Sequence, residues 1–95
     1  MENFKLLLGK SKAGHDIRQN YVVVAEDDIY YYLANGTTKL MSKPKKKKKF
    51  HVQPIKHLPK EVTELVAEGE ELTDLKIKRI LKVYNSLSRQ EEQDV

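Results

Sequence analysis

The hydrophobic period of this chain changes once, near His57, and that change limits the folds open to it. Up to Gln53 apolar residues alternate in short runs; beyond Pro59 they recur at three- and four-residue spacing. Phe4, Leu6 and Leu8 alternate as in a half-buried strand. Tyr21-Val22-Val23-Val24-Ala25 is β-branched and aromatic, apart from its last alanine, which predicts a second strand. Glu26-Asp27-Asp28 is too short for anything but a hairpin turn, and Ile29-Tyr30-Tyr31-Tyr32-Leu33 follows as the third strand. Asn35-Gly36 tolerates positive φ at both residues and predicts another hairpin, with Thr37 to Met41 returning as the fourth strand. Pro44 and the run Lys45 to Lys49 interrupt the pattern, because adjacent like charges repel and bury nothing. Phe50-His51-Val52-Gln53 alternates again and Pro54 closes it. Five short strands on tight turns predict a mainly β fold, a small barrel over residues 1–57 that closes to hide its edges.

Residues 58–95 read as a helical C-terminal appendage packed on that barrel. Pro59 suits a first helical turn, Val62, Leu65 and Val66 carry the spacing, and Gly69 fits the stop. Thr73 caps a second helix with Asp74 at its positive end. Ile77, Ile80, Leu81, Tyr84 and Leu87 form its apolar stripe, while Lys76, Lys78, Arg79 and Lys82 face elsewhere. That stripe needs a surface, either the barrel or a protein partner. The polar stretch Ser88 to Val95 is expected to fray.

Charge is unevenly placed. Through His57 there are 12 Lys and Arg against 5 Asp and Glu; beyond it the count is 6 against 9. A basic front part points to a polyanionic partner met by that part. With no cysteine there is neither a disulfide framework nor a thiolate metal site, and no cofactor is expected. No apolar run approaches the roughly 20 residues of a membrane span, and the first residues lack a signal-peptide pattern, so a soluble cytoplasmic protein is expected.

The histidines His15, His51 and His57 show no metal-ligand spacing and no nucleophile beside them, and Gly9-Lys10-Ser11 is out of order for a phosphate loop. An enzyme is not expected. The stretch from Gly9 to Asn20 sets Lys10, Lys12, His15 and Arg18 around Gly14, with Asp16 as its one acid. Such a loop between two strands is either a nucleic-acid reader or an ordinary solvated connection. Lys45, Lys46, Lys47, Lys48 and Lys49 are either phosphate contacts, which give affinity without sequence choice, or a solvated loop. Tyr30 and Tyr32 fall on one side of the sheet and Tyr31 on the other, so at least one side is core rather than a base-stacking platform.

Gly9-Lys10-Ser11-Lys12-Ala13-Gly14-His15-Asp16 followed by Tyr21-Val22-Val23-Val24 resembles the KOW motif. The chain is similar to small bacterial KOW-domain RNA-binding proteins related to a type of ribosomal protein. Lys43-Pro44-Lys45, His51-Val52-Gln53-Pro54 and Leu72-Thr73-Asp74 match the later pattern in order. The resemblance implies an SH3-like barrel whose first loop, Lys10 to Asn20, binds RNA in a ribosomal or translational setting. The family has arginine where His15 stands and Lys-Gly where Ile17-Arg18 stand. The expected RNA contacts are therefore Lys10, Lys12, Gly14, His15, Arg18, Lys43, the five lysines Lys45 to Lys49, and His51. A peptide-binding module, with Tyr30 or Tyr32 and Phe50 forming a groove, is the alternative.

Overall fold

Tyr21 to Val24 form the centre of the fold, with successive side chains on opposite faces of a sheet. The computed structural model describes residues 6–66 and 71–93. Five antiparallel strands, β1 (Leu8–Ser11), β2 (Asn20–Glu26), β3 (Tyr30–Ala34), β4 (Lys45–Lys48) and β5 (Val52–Ile55), lie in the order β4-β3-β2-β1-β5. Two helices follow, α1 (Lys60–Thr63) and α2 (Asp74–Gln93). The mainly β architecture with C-terminal helices is as expected. Among the described residues no ladder joins β4 to β5, so the closure expected of a barrel is not made by strand pairing.

The strand boundaries correct the sequence reading in three places. The first strand begins at Leu8, after Leu6 and Leu7, and Phe4 lies outside the described residues; Leu7 still accepts a hydrogen bond from Val23 N–H at 2.8 Å. Thr37 to Met41 form no strand. The Asn35 carboxamide oxygen accepts from Thr37 N–H (3.0 Å) and Lys39 N–H (2.8 Å), taking up donors that a hairpin ladder would have needed. The fourth strand is instead the lysine run, which pairs with β3 so that Tyr30 faces Lys48 and Leu33 faces Lys45. Adjacent lysines in a strand point to opposite faces, so repulsion between neighbours is smaller than linear order implies. On an edge strand, lysines also discourage pairing with other chains.

Pro54 does not end its strand but sits inside β5 opposite Gly9. Since β5 is the other edge, the missing N–H of proline removes no ladder bond the sheet requires. A single 3-10 turn, Lys49–His51, connects β4 to β5. Lys49 N–H bonds Ile29 O at 2.8 Å, and Lys12 N–H bonds His51 O at 2.9 Å. Three residues thus carry the chain from one edge of the sheet to the other.

Each face of the sheet has its own core. Leu8, Val22 and Ala34 pack with Val62 of α1 and Ile77, Ile80 and Leu81 of α2. Tyr21, Val23, Leu33 and Val52 cluster on the opposite, inner face, with Leu7 and Tyr31 against them. Thr73 caps α2 as expected, its Oγ1 accepting from Lys76 N–H at 3.1 Å, while Asp74 Oδ1 accepts from Met41 N–H at 2.8 Å. Gly36, at φ 79°, lies under the first turn of α2, where a Cβ would collide with the Asp74 carbonyl oxygen. α1 is a single turn, shorter than the predicted helix, and Gly69 lies outside the described residues. α2 runs on through the polar residues from Ser88 to Gln93, rich in good helix formers, where fraying was expected. No helix among the described residues is long and apolar enough to cross a membrane.

Candidate nucleic-acid interface

The loop after β1 is built around a carboxylate. Asp16, 7% exposed, accepts from Ser11 Oγ at 2.9 Å and from Tyr21 Oη at 2.7 Å. Lys45 Nζ lies 2.9 Å from Oδ2 and Lys47 Nζ 2.8 Å from Oδ1. Lys47 also donates to Ala13 O at 2.8 Å, so one ammonium joins β4 to the top of the loop. Burial pushes the Asp16 carboxyl up, but hydrogen bonds from Lys47, Tyr21, Lys45 and Ser11 together outweigh it and hold the group well below the usual carboxylate range. Burial and then the adjacent carboxylate push the Tyr21 hydroxyl above its ordinary value. The loop is a braced structure.

Two left-handed residues complete its path. Gly14 has φ 90°. Arg18 has φ 75°, a conformation that costs a residue with a Cβ about 1–2 kcal/mol. Arg18 N–H bonds Ser11 O at 2.8 Å and Ser11 N–H bonds Gln19 O at 2.9 Å, which hold the strained residue between strand ends. Arg18 thus adopts the backbone conformation that a glycine takes easily.

The lysine run is sorted by the strand it forms. Lys45 and Lys47 turn inward to Asp16 and brace the loop, so the run is not a solvated loop, one of the two readings its sequence allows. Lys49 pairs with Glu26 at 2.7 Å, which raises its pKa, and its ammonium sits 5.1 Å from the centre of the Tyr31 ring. Lys46 and Lys48 point to the other side and are exposed. Lys46 Nζ stands 4.2 Å from the centre of the Tyr30 ring, a cation–π distance. Tyr32 Oη donates to Asp27 at 2.8 Å; Asp27 is held below its ordinary range chiefly by the Tyr30 and Ile29 amides.

The remaining expected contacts fall in two groups. Lys10 is half-buried on the α2 side of β1, while Lys12, His15 and Arg18 are exposed on the loop. Lys43 is exposed in the β3–β4 connection, and His51 closes the 3-10 turn with its ring 5.5 Å from that of Phe50. No model of a protein family matches the chain, and no curated protein matches it. The KOW resemblance therefore rests on the residues quoted above. Among the described residues no three His, Cys, Asp or Glu side chains group as metal ligands.

Sequence reasoning passed over two features. A lone acid among four basic residues was the available signal for the Asp16 hub. Lys78 and Lys82 read only as facing away from the apolar stripe of α2, yet they line the same cleft as Lys10 and Arg18. Nothing in linear order joins positions so far apart.

Proposed function

We propose that this chain is a non-enzymatic RNA-binding module of KOW type, its five-stranded sheet an SH3-like barrel, acting in a ribosomal or translational setting in the cytoplasm. The three-residue link between the two sheet edges supports the barrel reading. The observation that carries the RNA reading is the sorting of the cations. Lys45, Lys47 and Lys49 are matched to carboxylates, whereas Lys10, Lys12, Arg18, Lys46 and Lys48 have no ion pair among the described residues. Unmatched cations presented by a braced loop and the strands beside it suit a phosphate backbone, which supplies the missing charge.

Titration of the chain into labelled single-stranded and structured RNA at low salt tests the reading. If five cations engage single-stranded RNA, a fourfold rise in salt weakens binding about a hundredfold. Absence of binding at low salt refutes the proposal. Tight binding indifferent to salt refutes its phosphate mechanism.

A second reading, a peptide-interaction module, is favoured by one observation. Phe50 is 81% exposed and Ile29 58% exposed, and Lys49 N–H bonds Ile29 O, so both apolar side chains stand at the same end of the sheet. Amide shifts centred on Phe50 and Ile29 on adding peptide, in a chain that ignores RNA, would establish that reading instead.

A further inference from the structure

An open cleft of about 730 Å³ lies where the end of β1 and the β1–β2 loop meet the flank of α2. Lys10 and Arg18 line it from the sheet side, and Lys78 and Lys82 line it from the helix. Between them the Asn20 amide donates to Asn85 Oδ1 at 2.8 Å, tying helix to strand. Lys78, Lys82 and Asn85 are four and three residues apart, so they share one flank of α2, the two lysines about 6 Å apart along its axis. No described residue lining the cleft is acidic, and none of its four cations has an ion pair among the described residues.

That composition is unlike the inward face of β4 and the turn that follows it. On β4 the inward cations are neutralised by Asp16, and Lys49 by Glu26. In the cleft like charges converge on one concavity with nothing to balance them, and one of them, Arg18, is held on strained backbone at φ 75°. A bound polyanion would relieve the repulsion. The size and openness of the cleft and the spread of cations over two elements favour a chain of phosphates over one small anion.

We infer that this cleft is the track for the RNA phosphodiester backbone and that α2 supplies half of its cations. The inference rests on the RNA-binding reading and deepens it, by making the helix part of the site rather than only packing. Lys10 and Arg18 on one wall and Lys78 and Lys82 on the other hold consecutive stretches of backbone.

Fluorescence anisotropy of labelled single-stranded RNA with the full chain at 0.1 M salt tests it. Each phosphate contact on single-stranded RNA contributes about fivefold at that salt, so Lys78→Gln/Lys82→Gln is expected to weaken binding about 25-fold and to flatten the log–log salt slope by about 1.4. Glutamine keeps helix propensity, and a thermal melt checks that the variant folds. The control Lys56→Gln/Lys60→Gln makes the same charge change outside the cleft and is expected to weaken binding less than about threefold, through screened long-range attraction alone. Arg18→Gly removes a cleft cation while relaxing the backbone, so about a fivefold loss is expected with no loss of melting temperature. Equal losses from the α2 variant and the control overturn the cleft in favour of diffuse charge. Wild-type affinity in the α2 variant overturns the cleft while leaving RNA binding intact. Failure of the unaltered chain to bind at low salt refutes the RNA reading and the cleft together.

Discussion

Asp16 is the residue on which loop shape, strand β4 and the inner core converge. Replacing it with asparagine leaves the Lys47 ammonium, whose side chain is 11% exposed, without its counter-charge. Removing one partner of a buried pair costs about 3–5 kcal/mol, and the two-lysine arrangement with Lys45 partly solvated places this site near the lower end. Urea midpoints of wild type and Asp16→Asn measure it. The pH dependence has a definite sign. The folded carboxyl titrates well below its unfolded value of about 3.9, so its stabilisation is complete above that value and is lost as pH falls toward the folded pKa. Wild type should therefore lose stability steeply below about pH 4, and Asp16→Asn should show a shallower decline. Parallel acid profiles would refute the hub. At Arg18 the expected order is different: Arg18→Gly should exceed Arg18→Ala in stability by about 1 kcal/mol, since alanine keeps the Cβ at φ 75°.

At the scale of the element, β4 divides by face. Lys45→Met/Lys47→Met strips Asp16 of both cations and should destabilise the fold by about 2–4 kcal/mol. Lys46→Ser/Lys48→Ser should stay within about 1 kcal/mol of wild type, the Lys46–Tyr30 contact included. Denaturant melts of the two variants read this contrast, and equal losses would contradict the sorting. The same strand shows what linear order conveys and what it hides. β2, β3 and the capped start of α2 were legible because β-branched alternation and Thr73-Asp74 act locally. A run of five lysines reads as a loop when each charge is taken against its sequence neighbours. The strand form of Lys45–Lys48 is braced by Asp16, distant in sequence, and the turn after it by the Lys49–Glu26 pair. The missing fourth hairpin strand has the same origin, since Asn35 signals a turn without saying which amides its side chain will take.

For the molecule as a whole, sheet and helices are one cooperative unit, because Leu8, Val22 and Ala34 share a core with Val62, Ile77, Ile80 and Leu81. Ile80→Ala should cost about 2–5 kcal/mol, a large share of the roughly 5–15 kcal/mol typical of a domain. Hydrogen exchange should give β2 and the centre of α2 the same opening free energy, and a much lower value for α2 would mean that it docks loosely. The split into a basic front and an acidic back holds in sequence but not in space, since folding carries Lys78 and Lys82 to the wall facing Lys10 and Arg18. The KOW-like motif drew attention to the loop alone; the basic flank of α2 that lines the same cleft is brought there by packing. In the proposed division of labour, unmatched cations hold RNA while the matched ones hold the fold. Its most direct measurement is the salt dependence of RNA affinity for wild type and for Lys46→Ser/Lys48→Ser. With Lys10, Lys12, Arg18, Lys46 and Lys48 all engaged, the log–log slope should be about −3.5, steeper by about 0.7 for each helix lysine that also engages. The β4 variant should be shallower than wild type by about 1.4. A wild-type slope near zero, or an identical slope in the variant, would mean that the unmatched cations do not hold RNA phosphates.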